Sequence, residues 1–328
     1  MIIITGGAGF IGSNIIASLQ ENGYTDLVVI DKLGTDDKWK NIAKRDLRAI
    51  VDPVDTDTFL EKHTDEITAI IHMGAISATT ETDVDLIART NLTLSWNLWE
   101  FCTKHKVQFI YASSAATYGS GENGFIDRKD RPYLNALRPL NAYGWSKALF
   151  DRMVYSAVES GKPCPPQYAG LKFFNVYGPN EYHKGGQKSV VAHIFPRVKA
   201  NETVELFKSY RPDIRDGEQL RDFVWVGDCV RVVLWLLKHP DVSGLFNVGT
   251  GKARSFYDLA TATFKAMNLT PRIGFKEMPE TLRDKYQYYT QADLTALRQA
   301  GFDEPMTDLE DGIRQYVQNY LNTEDPYL

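Results

Sequence analysis

Short apolar runs alternate with longer amphipathic stretches through the first half of the chain. The runs are rich in β-branched residues and predict strands at 2–5, 27–30, 49–51, 69–72, 108–112 and 169–174. The stretches between them repeat with helical periodicity and predict helices at 11–22, 57–63, 83–106 and 143–160. This alternation is typical of parallel βαβ units, and uninterrupted apolar strands are covered on both faces. We therefore predict an α/β fold with a doubly wound parallel sheet.

The pattern becomes irregular after about Asn175 and then resumes. Segments 223–238 and 245–248 return to strand and helix character, and segment 309–321 is amphipathic. We therefore predict two interleaved domains. The first covers residues 1–174 and is completed by about 221–249, and the second, smaller domain is formed by residues 175–220 and 250–328.

Composition limits the class of protein. Of 328 residues, 43% are hydrophobic and 24% charged, which excludes disorder for most of the chain. Thirty-seven basic residues against 42 acidic ones leave no basic excess for a nucleic-acid surface. Cys102, Cys164 and Cys229 form no CxxC pair, and no apolar run is long enough to span a bilayer. We expect a cytoplasmic protein that binds neither nucleic acid nor membranes.

A glycine-rich turn, GGAGFIG at 6–12, joins the first predicted strand to the first helix. Gly6, Gly9 and Gly12 permit a tight turn and close approach of the backbone to a pyrophosphate at the helix N-terminus. Asp31 ends the next strand, where an acidic residue accepts ribose hydroxyls, so the segment predicts a dinucleotide site. Asp31 alone favours NAD. Lys32 and Lys38 offer cations for a 2′-phosphate, and with them we favour NADP.

A tyrosine and a lysine one helical turn apart form the candidate catalytic group. Tyr143 and Lys147 lie in the sequence YGWSK, and Ser114 follows the fifth predicted strand. A free tyrosine has a pKa of about 10, which a nearby ammonium lowers. The lysine can also donate to the ribose of a nicotinamide nucleotide, and the serine to a substrate oxygen. The alternative for Tyr143 and Lys147 is a surface-facing pair on a helix without catalytic function. The alternative for Ser114 is a cap at the end of its strand.

Together these segments resemble the extended short-chain dehydrogenase/reductases that act on nucleotide sugars. The matching motifs are GGAGFIG at 6–12, HMGA at 72–75, YASSAATYG at 111–119, YGWSK at 143–147, FNVYGP at 174–179 and RDFVWVGD at 221–228. The resemblance covers essentially the whole chain. It implies a Rossmann domain that binds the dinucleotide and a small C-terminal domain that holds the sugar nucleotide.

Longer matches at 72–83, 174–185 and 286–305 narrow the resemblance to epimerases of this family whose substrate is an ADP-heptose. It implies Tyr143 and Lys184 as two acid/base groups, with Ser114 assisting. The implied NADP contacts, besides the glycines, are Phe10, Ile11, Asp31, Lys32, Lys38, Met73, Gly74, Ala75, Ile76, Ser77, Asn91, Lys147, Val176 and Lys184. The implied substrate contacts are Ser114, Asn175, Gly186, His193, Phe207, Lys208, Ser209, Tyr210, Arg221 and Tyr286. The resemblance also suggests a homo-oligomer, with a pentamer as one candidate.

Some positions depart from the family pattern or admit two roles. Met73 stands where a glutamate is usual and Thr56 where a lysine is usual, and Thr90 replaces an asparagine beside Asn91. Lys184 is either a base or a group that neutralises a phosphate. Arg221 suits a diphosphate, and its alternative is an ion pair with Asp222 or Asp228. The histidines show no metal-ligand spacing, so we expect no metal.

Three competing functions make different demands on the sequence. A nucleotide-sugar dehydratase needs an acidic pair after the strand-end hydroxyl residue, where this chain has Ala115 and Ala116. A UDP-hexose 4-epimerase would keep the catalytic residues but does not explain the His-Lys-Gly at 183–185. A non-catalytic NADP-binding sensor, which belongs to a different class, typically loses the tyrosine or the lysine. Turnover of a nucleotide sugar distinguishes an enzyme from such a sensor.

Overall fold

A seven-stranded parallel sheet organises the chain in the computed structural model, which describes residues 1–283 and 286–328. The strands are β1 (Ile2–Thr5), β2 (Leu27–Ile30), β3 (Ala49–Val51), β4 (Ala69–His72), β5 (Gln108–Ser114), β6 (Tyr168–Phe173), β7 (Asn175–Tyr177), β8 (Val204–Phe207), β9 (Leu220–Arg221), β10 (Phe223–Trp225), β11 (Gly244–Val248), β12 (Arg254–Ser255) and β13 (Ile273–Lys276). The main sheet has the order β11-β6-β5-β4-β1-β2-β3. The predicted α/β class and doubly wound parallel sheet are confirmed.

The helices alternate with the strands along the chain and cover the sheet. They are α1 (Phe10–Glu21), α2 (Thr56–Lys62), α3 (Val84–Ile87), α4 (Leu94–His105), α5 (Arg131–Ala136), α6 (Ala142–Glu159), α7 (Val190–Lys199), α8 (Val226–Lys238), α9 (Phe256–Ala266), α10 (Glu280–Arg283), α11 (Thr295–Gln299) and α12 (Leu309–Tyr316). The single helix predicted at 83–106 is α3, a π-helical segment at Ala88–Thr93, and α4 in unbroken succession. No helix among these residues is both long and apolar enough to cross a membrane.

The order of the strands creates a crevice at the centre of the sheet. Every residue of β1, β2 and β4 is buried, which explains their uninterrupted apolar character. The chain builds β2 and β3 on one side of β1 and then crosses to β4 on its other side. In the register, Thr5 at the end of β1 lies opposite Ile30 and His72. Loops that leave β1 and β4 in opposite directions open a ligand crevice at their carboxyl ends.

A second apolar cluster lies beyond the main sheet. Its large side chains include Phe195 of α7, Phe264 of α9 and Tyr316 of α12, all of which are buried. Three two-stranded pairings accompany it: β7 with β10, β8 with β13, and β9 with β12. Strand β11, far along the chain, nonetheless joins the main sheet beside β6. The division of the chain into domains at 174 and 175 stays a prediction.

Candidate active site

The glycine-rich turn between β1 and α1 brings two backbone segments unusually close together. Gly6 has a φ of +64°, and a Cβ at this residue would lie 2.6 Å from the Cα of Gly74. At Gly12 a Cβ would lie 2.3 Å from the carbonyl oxygen of Gly6. Helix α1 starts after Gly9 without a side-chain cap, so no capping side chain competes for its first amide groups. A backbone cradle at an uncapped helix N-terminus fits a dinucleotide pyrophosphate.

Asp31, directly after β2, is held by two donors. Its Oδ2 accepts the backbone N–H of Ala8 at 2.9 Å, and its Oδ1 accepts the Lys38 ammonium at 2.6 Å. Lys38 also donates to the carbonyl oxygen of Lys32 at 2.9 Å. Lys38 therefore neutralises the carboxylate that would otherwise repel a 2′-phosphate. Thr56 is buried and its hydroxyl donates to the Pro53 carbonyl, so it offers no cation here.

Asn91 lies in the π-helical segment and fastens the loop after β4. Its Oδ1 accepts the N–H of Ile76 at 2.8 Å, while its Nδ2 donates to the Ile76 carbonyl and to the Ser146 hydroxyl, both at 3.0 Å. The loop residues 73–76 are partly exposed beside the glycine-rich turn, and Ser77 is exposed. Asn91, rather than Thr90, is therefore the residue that faces this loop.

Tyr143 and Ser114 come together where β5 meets α6. The Oδ1 of Asn141 accepts the Gly144 N–H at 2.8 Å and so begins α6 just before the tyrosine. Strand β5 continues two residues beyond its predicted end, which makes Ser114 its last residue. Burial raises the pKa of Tyr143 above its ordinary value, and a hydrogen bond with Ser114 opposes this rise. The sequence-based expectation of a lowered Tyr143 pKa is therefore wrong for this structure, because the effect of desolvation is larger than that of Ser114.

Lys147, one turn further along α6, is a buried amine. It is 3% exposed and forms no ion pair with any residue in the described ranges. Burial lowers its pKa to about 8, and the charge of Asp151 opposes this shift. Because part of the population is neutral near pH 8, Lys147 exerts a weaker field on Tyr143 than a permanent cation would.

Lys184 lies in a 3₁₀ segment, Tyr182–Gln187. Its Nζ is 5.5 Å from the centroid of the Phe10 ring, beside the glycine-rich turn. Burial lowers the pKa of Lys184, and the charge of Glu181 opposes the shift. Glu181 is itself buried and accepts the hydroxyls of Ser189 at 2.6 Å and Tyr316 at 2.9 Å. This carboxylate therefore holds the segment that carries Lys184.

Arg221 and Tyr286 form one predicted group of substrate contacts. The Arg221 guanidinium lies 5.1 Å from the Tyr286 ring centroid and donates to the carbonyl oxygens of Leu220 and Gln287. The alternative ion pair with Asp222 or Asp228 is wrong, because neither carboxylate bonds Arg221 in the part of the chain described. A buried guanidinium bonded to backbone carbonyls keeps its positive charge available to an anionic ligand.

The other predicted substrate residues lie in smaller groups. His193 and Gly186 meet through a 3.2 Å contact between Nε2 and the glycine carbonyl. Lys208 and Tyr210 share the carboxylate of Glu277, at the partly exposed end of β8, where Phe207 also lies. The Ser209 N–H donates to Asp216 at 2.7 Å. Asn175 is exposed at the start of β7, and Val176 is the next residue of that strand.

No group of three or more His, Cys, Asp or Glu residues in ranges 1–283 and 286–328 could hold a metal ion.

The sequence analysis missed the buried carboxylates Asp151 and Glu181 and the buried cation Lys172. For the two carboxylates, the one signal in the sequence was their spacing from the candidate lysines. Asp151 lies one turn beyond Lys147, and Glu181 lies three residues before Lys184.

The family assignment follows from comparison over the same residues. The chain matches the NAD dependent epimerase/dehydratase family over residues 2–249, a range that contains the glycine-rich turn, Ser114, Tyr143, Lys147 and Lys184. The chain therefore belongs to this family, and its dinucleotide is a nicotinamide dinucleotide.

Comparison with individual relatives places the chain within the family. The ADP-L-glycero-D-manno-heptose-6-epimerase of Nitratidesulfovibrio vulgaris is 49% identical over 333 aligned residues, which cover 100% of both chains. The solved ADP-L-glycero-D-manno-heptose-6-epimerase of Helicobacter pylori is 29% identical, with a TM-score of 0.77 over 97% of this chain and 95% of that one. The UDP-glucose 4-epimerase of Thermus thermophilus, solved with NAD, is 27% identical with a TM-score of 0.72, over 95% and 96% of the two chains. The chain groups with the ADP-L-glycero-D-manno-heptose-6-epimerases and is an enzyme of the isomerase class.

Replacing Gly6 by alanine is expected to abolish dinucleotide retention, because the new Cβ would collide with the backbone of Gly74. Gly23→Ala is the matched control, since Gly23 has a φ of +85° and a Cβ added there would meet nothing within 4 Å. The free energy of unfolding of the control should fall by only about 1–2 kcal/mol, which is the cost of a left-handed backbone at alanine. Dinucleotide content and urea unfolding measure the two effects. A Gly6→Ala protein that binds dinucleotide like Gly23→Ala would contradict the cradle.

Proposed function

We propose that this epimerase inverts C6 of ADP-D-glycero-D-manno-heptose to give ADP-L-glycero-D-manno-heptose, through a transient ketone at C6 and with NADP. The observation that carries the proposal is the pair of acid/base candidates. Tyr143 lies beside Ser114, while Lys184, a half-buried amine, lies beside the glycine-rich turn. Full-length similarity to enzymes named for this epimerisation supports the choice of substrate.

Residues of this chain divide the binding of the dinucleotide among them. The glycines at 6, 9 and 12 and the N-terminus of α1 would hold the pyrophosphate. Asp31, Lys32 and Lys38 would hold the adenosine half, and Lys147 the nicotinamide ribose. When bound, the nicotinamide supplies a reversible hydride acceptor. Phe10, Ile11, the loop 73–77, Asn91 and Val176 would complete the contacts.

The preference for NADP rests on charge at the adenosine end. With Lys38 bonded to Asp31, a 2′-phosphate meets a neutral pair plus the cation of Lys32 rather than a lone carboxylate. An epimerase takes up and returns its hydride in one cycle, so the dinucleotide has no need to leave. Both arguments favour tightly held NADP.

The purified protein is expected to carry NADP(H), and Lys38→Ala should weaken NADPH binding about tenfold or more, since a charge-assisted bond contributes about 1.5–3 kcal/mol. NADH binding should change much less, because NADH lacks the 2′-phosphate. Lys40→Ala is the matched control, as Lys40 lies in the same turn but pairs with the exposed Asp37. Fluorescence titration gives the dissociation constants. Equal losses for NADPH and NADH, or only NAD in denatured extracts, would contradict the NADP assignment.

Two groups are needed because the C6 hydroxyls of the two epimers point in opposite directions. Oxidation removes a hydride from C6 and a proton from its hydroxyl. Reduction returns the hydride to C6 from the opposite face of the carbonyl and a proton to the carbonyl oxygen. One fixed side chain is badly placed for both epimers. Tyr143, hydrogen-bonded to Ser114, would serve one hydroxyl as a neutral phenol or its phenolate. Lys184, whose pKa is lowered by burial, would serve the other.

Tyr143→Phe is expected to retain the dinucleotide and lose most turnover, because an acid/base group contributes roughly two to four decades of rate. Lys147→Met should weaken both turnover and dinucleotide binding, since Lys147 is also expected to bond the ribose. Turnover is followed by separating the two ADP-heptose epimers, and retention by the absorbance of the purified protein. Turnover of Tyr143→Phe within a few-fold of the parent would show that Tyr143 is not the acid/base group.

Lys184→Ala is expected to slow saturated turnover in both directions, starting from each pure epimer. Lys188→Ala is the control, as a partly exposed lysine at the end of the same 3₁₀ segment, and should behave like the parent. If Lys184→Ala raises KM while saturated turnover stays unchanged, Lys184 is a phosphate-binding residue and the two-group scheme is wrong.

We further propose a role for the product and a setting for the enzyme. The product, an L-glycero-D-manno-heptose donor, would supply heptose for the inner core of lipopolysaccharide. The enzyme would act in the cytoplasm as a homo-oligomer, for which a pentamer is one candidate. A UDP-hexose 4-epimerase and a non-catalytic NADP-binding sensor are the competing functions. Assays with ADP-heptose and UDP-glucose in parallel distinguish them, since the sensor turns over neither.

A further inference from the structure

A buried ion pair lies beneath the turn that follows β5. Lys172 of β6 and Asp151 of α6 are both 0% exposed, with Nζ 2.8 Å from Oδ2. The proposed reaction assigns neither residue a role. A buried pair costs desolvation on both partners and is weak evidence for stability alone, so its surroundings indicate what it does.

The pair forms hydrogen bonds with residues at both ends of the turn that carries Ser114. Ser113 donates its hydroxyl to Asp151 at 2.8 Å, and Lys172 donates to the hydroxyl oxygen of Thr117 at 2.6 Å. Thr117 in turn donates to the carbonyl oxygen of Ser114 at 2.8 Å. In the sheet register, Ser113 lies directly opposite Lys172. Polar contacts on both sides of Ser114 therefore lead to this pair.

The same pair reaches the catalytic helix. Tyr143, Lys147 and Asp151 follow one another at single-turn spacing on α6, so they lie on one side of it. Asp151 thus connects the strand that carries Ser114 to the helix that carries Tyr143 and Lys147. Its second oxygen accepts the Tyr111 hydroxyl at 3.1 Å, which ties the helix to β5 again.

We propose that the Lys172–Asp151 pair is a positioning device for the reaction, which fixes Ser114 against Tyr143 and sets the charge that faces Lys147. This inference rests on the proposed function, because it takes Ser114, Tyr143 and Lys147 as the groups that act on substrate and dinucleotide. Lys172 and Asp151 are positioning residues, since they act through these other groups.

The charges around Lys147 give the proposal a signed consequence. From β4, His72 faces it but is neutral, because burial and Lys147 lower the His72 pKa to about 3. Tyr111 of β5 and Tyr143 of α6 have raised pKa values and are neutral as well. Asp151 is the charge that supports the ammonium of Lys147. Because Lys172 pairs with Asp151 at 2.8 Å, we expect it to offset part of that charge. Removing Asp151 should therefore lower the Lys147 pKa below about 8, whereas removing Lys172 should raise it.

The test compares Asp151→Asn with Lys172→Met in the cofactor-loaded enzyme. Loss of the Lys147 proton sets the alkaline limb of kcat/KM. This limb should move by about one pH unit to lower pH in Asp151→Asn and to higher pH in Lys172→Met. Both variants should lose about 10- to 100-fold in kcat, because Ser114 is displaced from its productive position. If the pair served only stability, the alkaline limb of both variants would stay at the pH of the parent's limb.

Further variants separate positioning from loss of stability. Lys172→Arg keeps the charge and should restore most of kcat. The double variant Asp151→Asn/Lys172→Met removes both charges, so its limb should return toward the parent while kcat stays low. Asp228→Asn is the control for destabilisation, since Asp228 is a buried carboxylate bonded to Arg231 and Thr307 elsewhere. It should lower the melting temperature without moving the limb.

A readout without turnover keeps this proposal distinct from the proposed function. The pH dependence of NADPH binding, followed by fluorescence, should shift with the same opposite signs, because a protonated Lys147 donates to the ribose. If the parent fails to epimerise ADP-heptose, the proposed function is wrong while the binding series still tests the pair. The positioning role is overturned if the alkaline limbs of Asp151→Asn and Lys172→Met move in the same direction. It is also overturned if these variants have a lower melting temperature and are otherwise like the parent.

Discussion

The close approach of the backbone at Gly6 to the backbone at Gly74 is the constraint on which the rest of the site depends. A hydrogen-bonded chain runs outward from this contact. The Gly74 N–H donates to the Thr5 hydroxyl at 3.1 Å, and that hydroxyl lies 2.6 Å from His72 Nδ1. His72 Nε2 lies 2.7 Å from the Ser95 hydroxyl, which itself donates to a backbone carbonyl in the π-helical segment. Ser95 must therefore accept from Nε2–H, which leaves Nδ1 to accept from Thr5.

The chain of bonds then reaches α6. Asn91 donates to the Ser146 hydroxyl, and Ser146 donates to the carbonyl of Tyr143 at 2.7 Å. The glycine-rich turn and Tyr143 are thus connected through a series of hydrogen-bonded groups, most of them buried. Such a network leaves little freedom for one end of the site to move without the other.

Physical chemistry explains which parts of the molecule could be predicted from sequence. The bounds of the first four strands agree with prediction to the residue. Strands β1, β2 and β4 are fully buried and are therefore uninterrupted apolar runs, whereas β3 is a partly exposed edge strand that is apolar as well. Strand β5 is longer than predicted, because Ser113 and Ser114 are polar residues that still pair with β6. A buried Asp151 or Lys172 has meaning only once its partner is known, and that partner is distant in sequence. The raised pKa of Tyr143 depends likewise on burial, which a motif does not report.

The π-helical segment Ala88–Thr93 also determines how the chain tolerates a change in length. A π turn contains about one more residue than an α turn but makes the same full rotation, so the helix before it and the helix after it keep one phase. Ser95 therefore reaches His72, and Leu98 and Cys102 face the core, despite the extra residue. Removing one residue from this segment would close it to ordinary α-helix without turning α4 away from the core. Such a deletion would displace Asn91 from Ile76 and Ser146 while leaving the packing of α4 intact.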